Sequence, residues 1–165
     1  MPKKLIKILA INPGTRYIGI AVFEGPELLD WRVKVFKGKW SKEKLKKILA
    51  SVRLSIERYE PDALVIKRLH RCRSSANLNL LVTRIKQLAR RKGLRAYQYS
   101  IKEAETFLIR DYRANKRNLA ELLASKYPEL MHEFNKEKTN KNSYYLRMFE
   151  AVGLGAVCFH KLHNN

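Results

Sequence analysis

The chain opens on a short apolar run, Leu5 to Ile11 with Lys7 embedded in it, which predicts a largely buried strand. Pro13-Gly14-Thr15-Arg16 predicts a tight turn. Tyr17 to Glu24, rich in β-branched and aromatic residues, predicts a second strand. Gly25-Pro26-Glu27 turns the chain again. Leu28 to Lys37 then alternates, with Trp31, Val33 and Val35 on one face and Arg32, Lys34 and Phe36 on the other, the pattern of a half-exposed third strand. Three strands joined by short turns make an antiparallel meander. The period then becomes helical. Leu45, Ile48, Leu49, Val52 and Ile56 share one helical face, Ser41 is placed to cap its start, and Pro61 marks its stop.

Ala63 to Ile66 predicts a short buried strand. A helix follows from Ser74 or Ser75, carrying Leu78, Leu81, Val82, Ile85, Leu88 and Ala89 and stopping at Gly93. Leu94 to Tyr99 predicts a fifth strand, and Ser100 caps a helix running through Leu108. Asn115 to Lys126 predicts another helix, ended before Pro128. Asn135 to Asn142, polar and lysine-rich, predicts a mobile loop, and Ser143 to Leu162 a final helix. Strands alternating with helices imply an α/β sheet covered on both faces. With no linker or repeat in view, residues 1–165 are expected to form one domain.

Charge narrows the partner. The 165 residues include 35 Lys plus Arg against 15 Asp plus Glu, a formal net charge of +20. Such a field favours a polyanion, most often nucleic acid, and argues against an enzyme for a small neutral ligand. No apolar run reaches the roughly 18 residues of a membrane span, and the start is too short and interrupted for a secretory signal. Two cysteines, Cys72 and Cys158, make no disulfide framework, so a reducing cytoplasm is expected. His70, Cys72, Cys158, His160 and His163 carry metal-capable atoms at spacings that match no standard zinc pattern. No metal site is expected there. Cys158 reads as a small apolar residue of the last helix, and the three Asp residues, Asp30, Asp62 and Asp111, support no nucleophile arrangement.

Four strings carry a resemblance: Ile8-Leu9-Ala10-Ile11-Asn12-Pro13-Gly14-Thr15-Arg16-Tyr17-Ile18-Gly19, Pro61-Asp62-Ala63-Leu64-Val65-Ile66-Lys67, Gly93-Leu94-Arg95-Ala96-Tyr97-Gln98-Tyr99-Ser100 and Glu150-Ala151-Val152-Gly153-Leu154. In content, order and spacing they resemble the RuvC-type Holliday junction resolvases of the ribonuclease H-like superfamily. The resemblance implies a five-stranded mixed sheet with helices on both faces. It also implies catalytic positions that would hold two metal ions through carboxylates, roughly 4 Å apart, to stabilise attacking and leaving oxygens. At those positions this chain has Asn12 for Asp, Lys67 for Glu, and Arg147 one turn before Glu150, which alone stays acidic. The expectation is that no catalytic metal pair binds, that nuclease activity is lost or strongly reduced, and that Lys67 neutralises Glu150 and meets a DNA phosphate.

By itself Asn12 is also the residue expected before Pro13 in a turn, and Lys67 reads equally as a surface residue at a strand end. Arg16, Lys67, Arg68, His70, Arg71, Arg73, Lys136, Lys138 and Lys141 are the candidate nucleic-acid contacts. Arg84, Lys86, Arg90, Arg91 and Lys92 read equally as a solvated face or a DNA face. Tyr144 and Tyr145 are candidates for stacking on bases. The leading expectation is a binder of branched DNA. A working junction endonuclease with inactivating changes, using Mg2+ or Mn2+, is the second reading; Asp to Asn is isosteric, Glu to Lys is not. A binder of structured RNA is the third. The resemblance also implies a homodimer packed through the helix after the fourth strand. There Leu80-Leu81-Val82-Thr83-Arg84 replaces the family's small residues, which leaves the dimer geometry open.

Overall fold

The computed structural model describes residues 4–70, 72–111, 119–139 and 144–164. The strands β1 (Lys7–Asn12), β2 (Tyr17–Glu24), β3 (Glu27–Val35), β4 (Ala63–Lys67) and β5 (Arg95–Tyr99) form one sheet in the order β3-β2-β1-β4-β5. The β1-β2-β3 meander is antiparallel, while β4 lies parallel to β1 and to β5. The helices are α1 (Lys42–Tyr59), α2 (Ala76–Arg91), α3 (Ile101–Asp111), α4 (Leu119–Lys126), α5 (Met131–Thr139) and α6 (Tyr144–His163), with a 3-10 turn at Pro128–Leu130. This is the α/β architecture that the alternation of periods predicts.

The parity of β1 explains its unbroken apolar sequence. Ile8 and Ala10 enter a core shared with α3, α4 and α6, whereas Leu9 and Ile11 enter a second core against α1 and α2. A strand covered on both faces has no solvent face to mark with polar residues. The same split holds in β4, with Ala63 and Val65 on the α6 side and Leu64 and Ile66 on the other. Continuing each parity by one step puts the Asn12 and Lys67 side chains on the α6 face, at the C-terminal ends of neighbouring parallel strands.

Helix ends follow local chemistry. The Ser41 and Ser75 hydroxyls accept the amides of Lys44 and Leu78. Glu60 adopts the left-handed conformation at φ 48° and donates its N–H to the Ile56 carbonyl, closing α1 just before Pro61. Ser100 and Glu103 form a reciprocal cap at the start of α3. That helix runs to Asp111, beyond the expected end at Leu108. The helix expected from Asn115 begins at Leu119 among the described residues. The lysine-rich stretch expected as a loop is helical as far as Thr139, anchored by buried Leu130 and Phe134 at its start. Among the described residues no helix is long and apolar enough to cross a membrane.

The last helix lies unusually close to the sheet. At Gly155 an added Cβ would fall 2.6 Å from Cδ2 of Phe23 and 3.3 Å from the Ala10 Cβ. At Gly19 it would overlap the Arg147 carbonyl and lie 2.9 Å from the Met148 amide nitrogen. Gly19 pairs with Asn12 across β1 and β2, so this approach sets the depth at which α6 meets the end of β1.

Candidate functional site

Three of the four positions singled out in the sequence meet around one carboxylate. Asn12, fully buried, donates from Nδ2 to the Arg147 carbonyl at 3.2 Å and to Oε2 of Glu150 at 3.3 Å. Lys67 Nζ reaches the same Oε2 at 3.3 Å. The two donors come from β1 and β4, the acceptor from α6. Because Nδ2 faces two acceptors, the orientation of the Asn12 amide is fixed by its partners. Its Oδ1 is buried and finds no partner among the described residues. The fourth position, Arg147, takes part through its carbonyl, while its guanidinium lies over the turn at Gly14.

This donor set does not fit a pair of divalent ions. One carboxylate and one amide oxygen are present, and the carboxylate oxygen is already claimed by an ammonium and an amide N–H. Two like unit charges 4 Å apart repel by about 1 kcal/mol in water and about 4 kcal/mol at an effective dielectric near 20, and a divalent ion doubles that. The Glu150 side chain is only 14% exposed and that of Lys67 28%, so water screens the pair poorly. Among the described residues no three His, Cys, Asp or Glu side chains are grouped to hold a metal ion.

Glu150 also borders a cavity of about 320 Å³ together with Glu105 of α3 and Glu137 of α5. Glu137 accepts the backbone N–H groups of Tyr145 and Leu146 at the start of α6, and burial pushes its carboxyl above the usual carboxylate range. Sequence reasoning missed both acids. Glu137 sits within a lysine run, and no local signal marks it as the cap of a helix that begins several residues later.

The aromatic candidates pack on one another. Arg16 lies over the ring of Tyr17 at 5.3 Å, Tyr17 meets Tyr144 edge-on at 5.6 Å, and Tyr144 meets Tyr145 edge-on at 4.9 Å. This row joins the β1–β2 turn to the first turn of α6. Arg16 itself is exposed.

The remaining basic candidates are scattered. Arg68 turns toward β5, pairing with Glu103 at 2.6 Å and donating to the Gln98 carbonyl at 3.2 Å. His70 and Arg73 are exposed in the loop before α2, where His70 Nδ1 accepts the Cys72 amide. Lys136 is exposed on α5. Arg71 and Lys141 lie outside the described residues, as does the side chain of Lys138. The structure therefore brings Asn12, Lys67, Arg147 and Glu150 together, whereas Arg68 pairs with Glu103.

The two thiols differ in surroundings. Cys72 is exposed, whereas Cys158 is fully buried in α6 and burial pushes its thiol up to about 12. One thiol is expected to react with Ellman's reagent in the folded chain near pH 8, and a second only after denaturation. Two fast-reacting thiols in the native state would contradict this packing of α6.

No family model matches the sequence, and no curated protein matches it either. Solved structures do match. Thermus thermophilus RuvC in complex with a Holliday junction substrate superposes with a TM-score of 0.68 at 17% identity, covering 96% of each chain. The yeast mitochondrial Holliday junction resolvase gives 0.68 at 10% identity, covering 96% of this chain and 80% of that one. The fowlpox virus resolvase bound to Holliday junction DNA gives 0.61 at 15% identity, covering 95% and 99%. The fold of this chain is thus the mixed-sheet fold of the RuvC-type Holliday junction resolvases.

Proposed function

We propose that this chain binds branched DNA at the C-terminal ends of β1 and β4 and has little or no metal-dependent nuclease activity. The observation that carries the reading is the Lys67 ammonium seated 3.3 Å from the Glu150 carboxylate, beside the buried Asn12 amide. An ammonium supplies a fixed positive charge and rotatable donors to a phosphate, but no Lewis acidity and no activated water. The +20 net charge and two similar structures that hold Holliday junctions support a junction as the partner. The binding unit is read as a homodimer.

The test compares a four-way junction with a linear duplex of the same length, each with and without Mg2+ or Mn2+. Tight retention of the junction without cutting is expected. Junction cleavage by the unmodified chain would end the reading of lost activity, and preference for a structured RNA over the junction would move the function to RNA. Lys67→Met is expected to weaken junction binding about tenfold and to lower the slope of log K against log salt by about 0.9, the loss of one phosphate contact. An unchanged slope would show that Lys67 serves Glu150 alone.

A further inference from the structure

We infer that a second DNA contact lies outside this site, in the basic groove between α2 and the edge strand β5. The inference rests on the nucleic-acid reading above but on different residues.

The groove follows from sheet order. β5 ends the sheet, with β4 as its neighbour on one side. The parallel register pairs Ala96 with Leu64 and Gln98 with Ile66, so Ala96 and Gln98 share the α2 face with those buried residues. Yet Ala96 is exposed, so α2 leaves part of the last strand uncovered on this face. A trough of about 500 Å³ results. Lys86 and Arg90, one turn apart on α2, form one wall, and Arg68 closes one end.

Its charge is one-sided. The described lining holds three cations and no acid. Among the described residues neither Lys86 nor Arg90 has an acidic partner within 4.0 Å. Like charges at this helical spacing cost a few tenths of a kcal/mol in an isolated helix. A second copy docking by its own trough would bring three more cations to this one, so a dimer packed through α2 would use another side of that helix. A phosphodiester backbone is the right occupant. Arg68 is held at the mouth by Glu103 and the Gln98 carbonyl and follows Lys67 directly in sequence. Lys67 lies on the α6 face of the sheet and the trough on the α2 face, so the trough would take a stretch of backbone separate from the one at Lys67. The five residues of β5 extend about 16 Å, close to five base pairs of duplex rise.

The test measures salt dependence of binding for the parent chain and for the Lys86→Ala/Arg90→Ala variant, on a four-way junction and on a linear duplex two helical turns long. Lys46→Ala/Lys47→Ala, on the exposed side of α1, serves as the control. The Lys86/Arg90 variant is expected to lose about tenfold in affinity and about 1.8 in the log–log salt slope on both probes, with the control unchanged. An unchanged slope, or an equal fall in the control, overturns the groove. A change in sedimenting mass on substitution of Lys86 and Arg90 also overturns it, by making the trough an interface between copies. A parent chain that shows no junction preference, with the slope difference intact on linear duplex, would sink the junction reading and leave the groove standing. No DNA binding by the parent would sink both.

Discussion

Gly19→Ala is expected to destabilise the fold by about 3 kcal/mol, the upper end for an overpacked core, lowering the melting temperature by about 10 °C for a chain of this size. The cause is a collision with backbone. A methyl group on β2 would overlap the carbonyl of Arg147 and crowd the Met148 amide, and neither can rotate away as a side chain would. Relief requires α6 to lift from the sheet, which pulls the Arg147 carbonyl and Glu150 away from Asn12. Stability and the candidate site therefore fall together. Gly38→Ala is the contrast: φ there is 93° with nothing within 4 Å of the new atom, so the cost is backbone conformation alone, ~1–2 kcal/mol. Calorimetry on both variants decides the matter, and a Gly19 variant no less stable than the Gly38 variant would show that α6 does not bear on β2 as described.

Asn12→Asp combined with Lys67→Glu is expected to create a response to Mn2+ that the parent chain lacks. Both changes turn a donor facing Glu150 into a carboxylate, giving three acids where the parent has one. Without a cation these acids repel one another, and the variant is expected to be less stable at neutral pH than at pH 5. At about 100-fold excess over the dissociation constant, one bound ion adds about 2.7 kcal/mol, or roughly 5–10 °C in melting temperature. The measurement is thermal melting with and without Mn2+ for parent and variant. Equal shifts in the two chains, or none in the variant, would mean that Lys67 and Asn12 are not what excludes the ion. Should the double variant not fold, Asn12→Asp with Lys67→Gln puts the same question with one anion fewer.

The elements with a strong period were legible in the sequence for physical reasons. β1 and β4 are apolar throughout because each feeds two cores, and α1 carries its stripe because only one of its faces meets the sheet. α5 was not legible: after Phe134 its sequence is Asn135-Lys136-Glu137-Lys138-Thr139, with no apolar residue, and its helicity rests on the docking of Leu130 and Phe134. The candidate site was legible only as strings. Asn12 before Pro13 reads locally as a turn residue, and Lys67 reads as a strand end. Their meeting needs the β1–β4 pairing, between residues 55 apart in the chain, and the depth of α6, set by contacts 83 and 138 residues apart.

The Asn12 amide, on the first strand, donates to the Arg147 carbonyl on the last helix. Both groups are electrically neutral, so protonation does not loosen the tie between the first strand and the last helix, and neither does a chelator. The cleft is held in shape before any ligand arrives, and association need not spend free energy on assembling it.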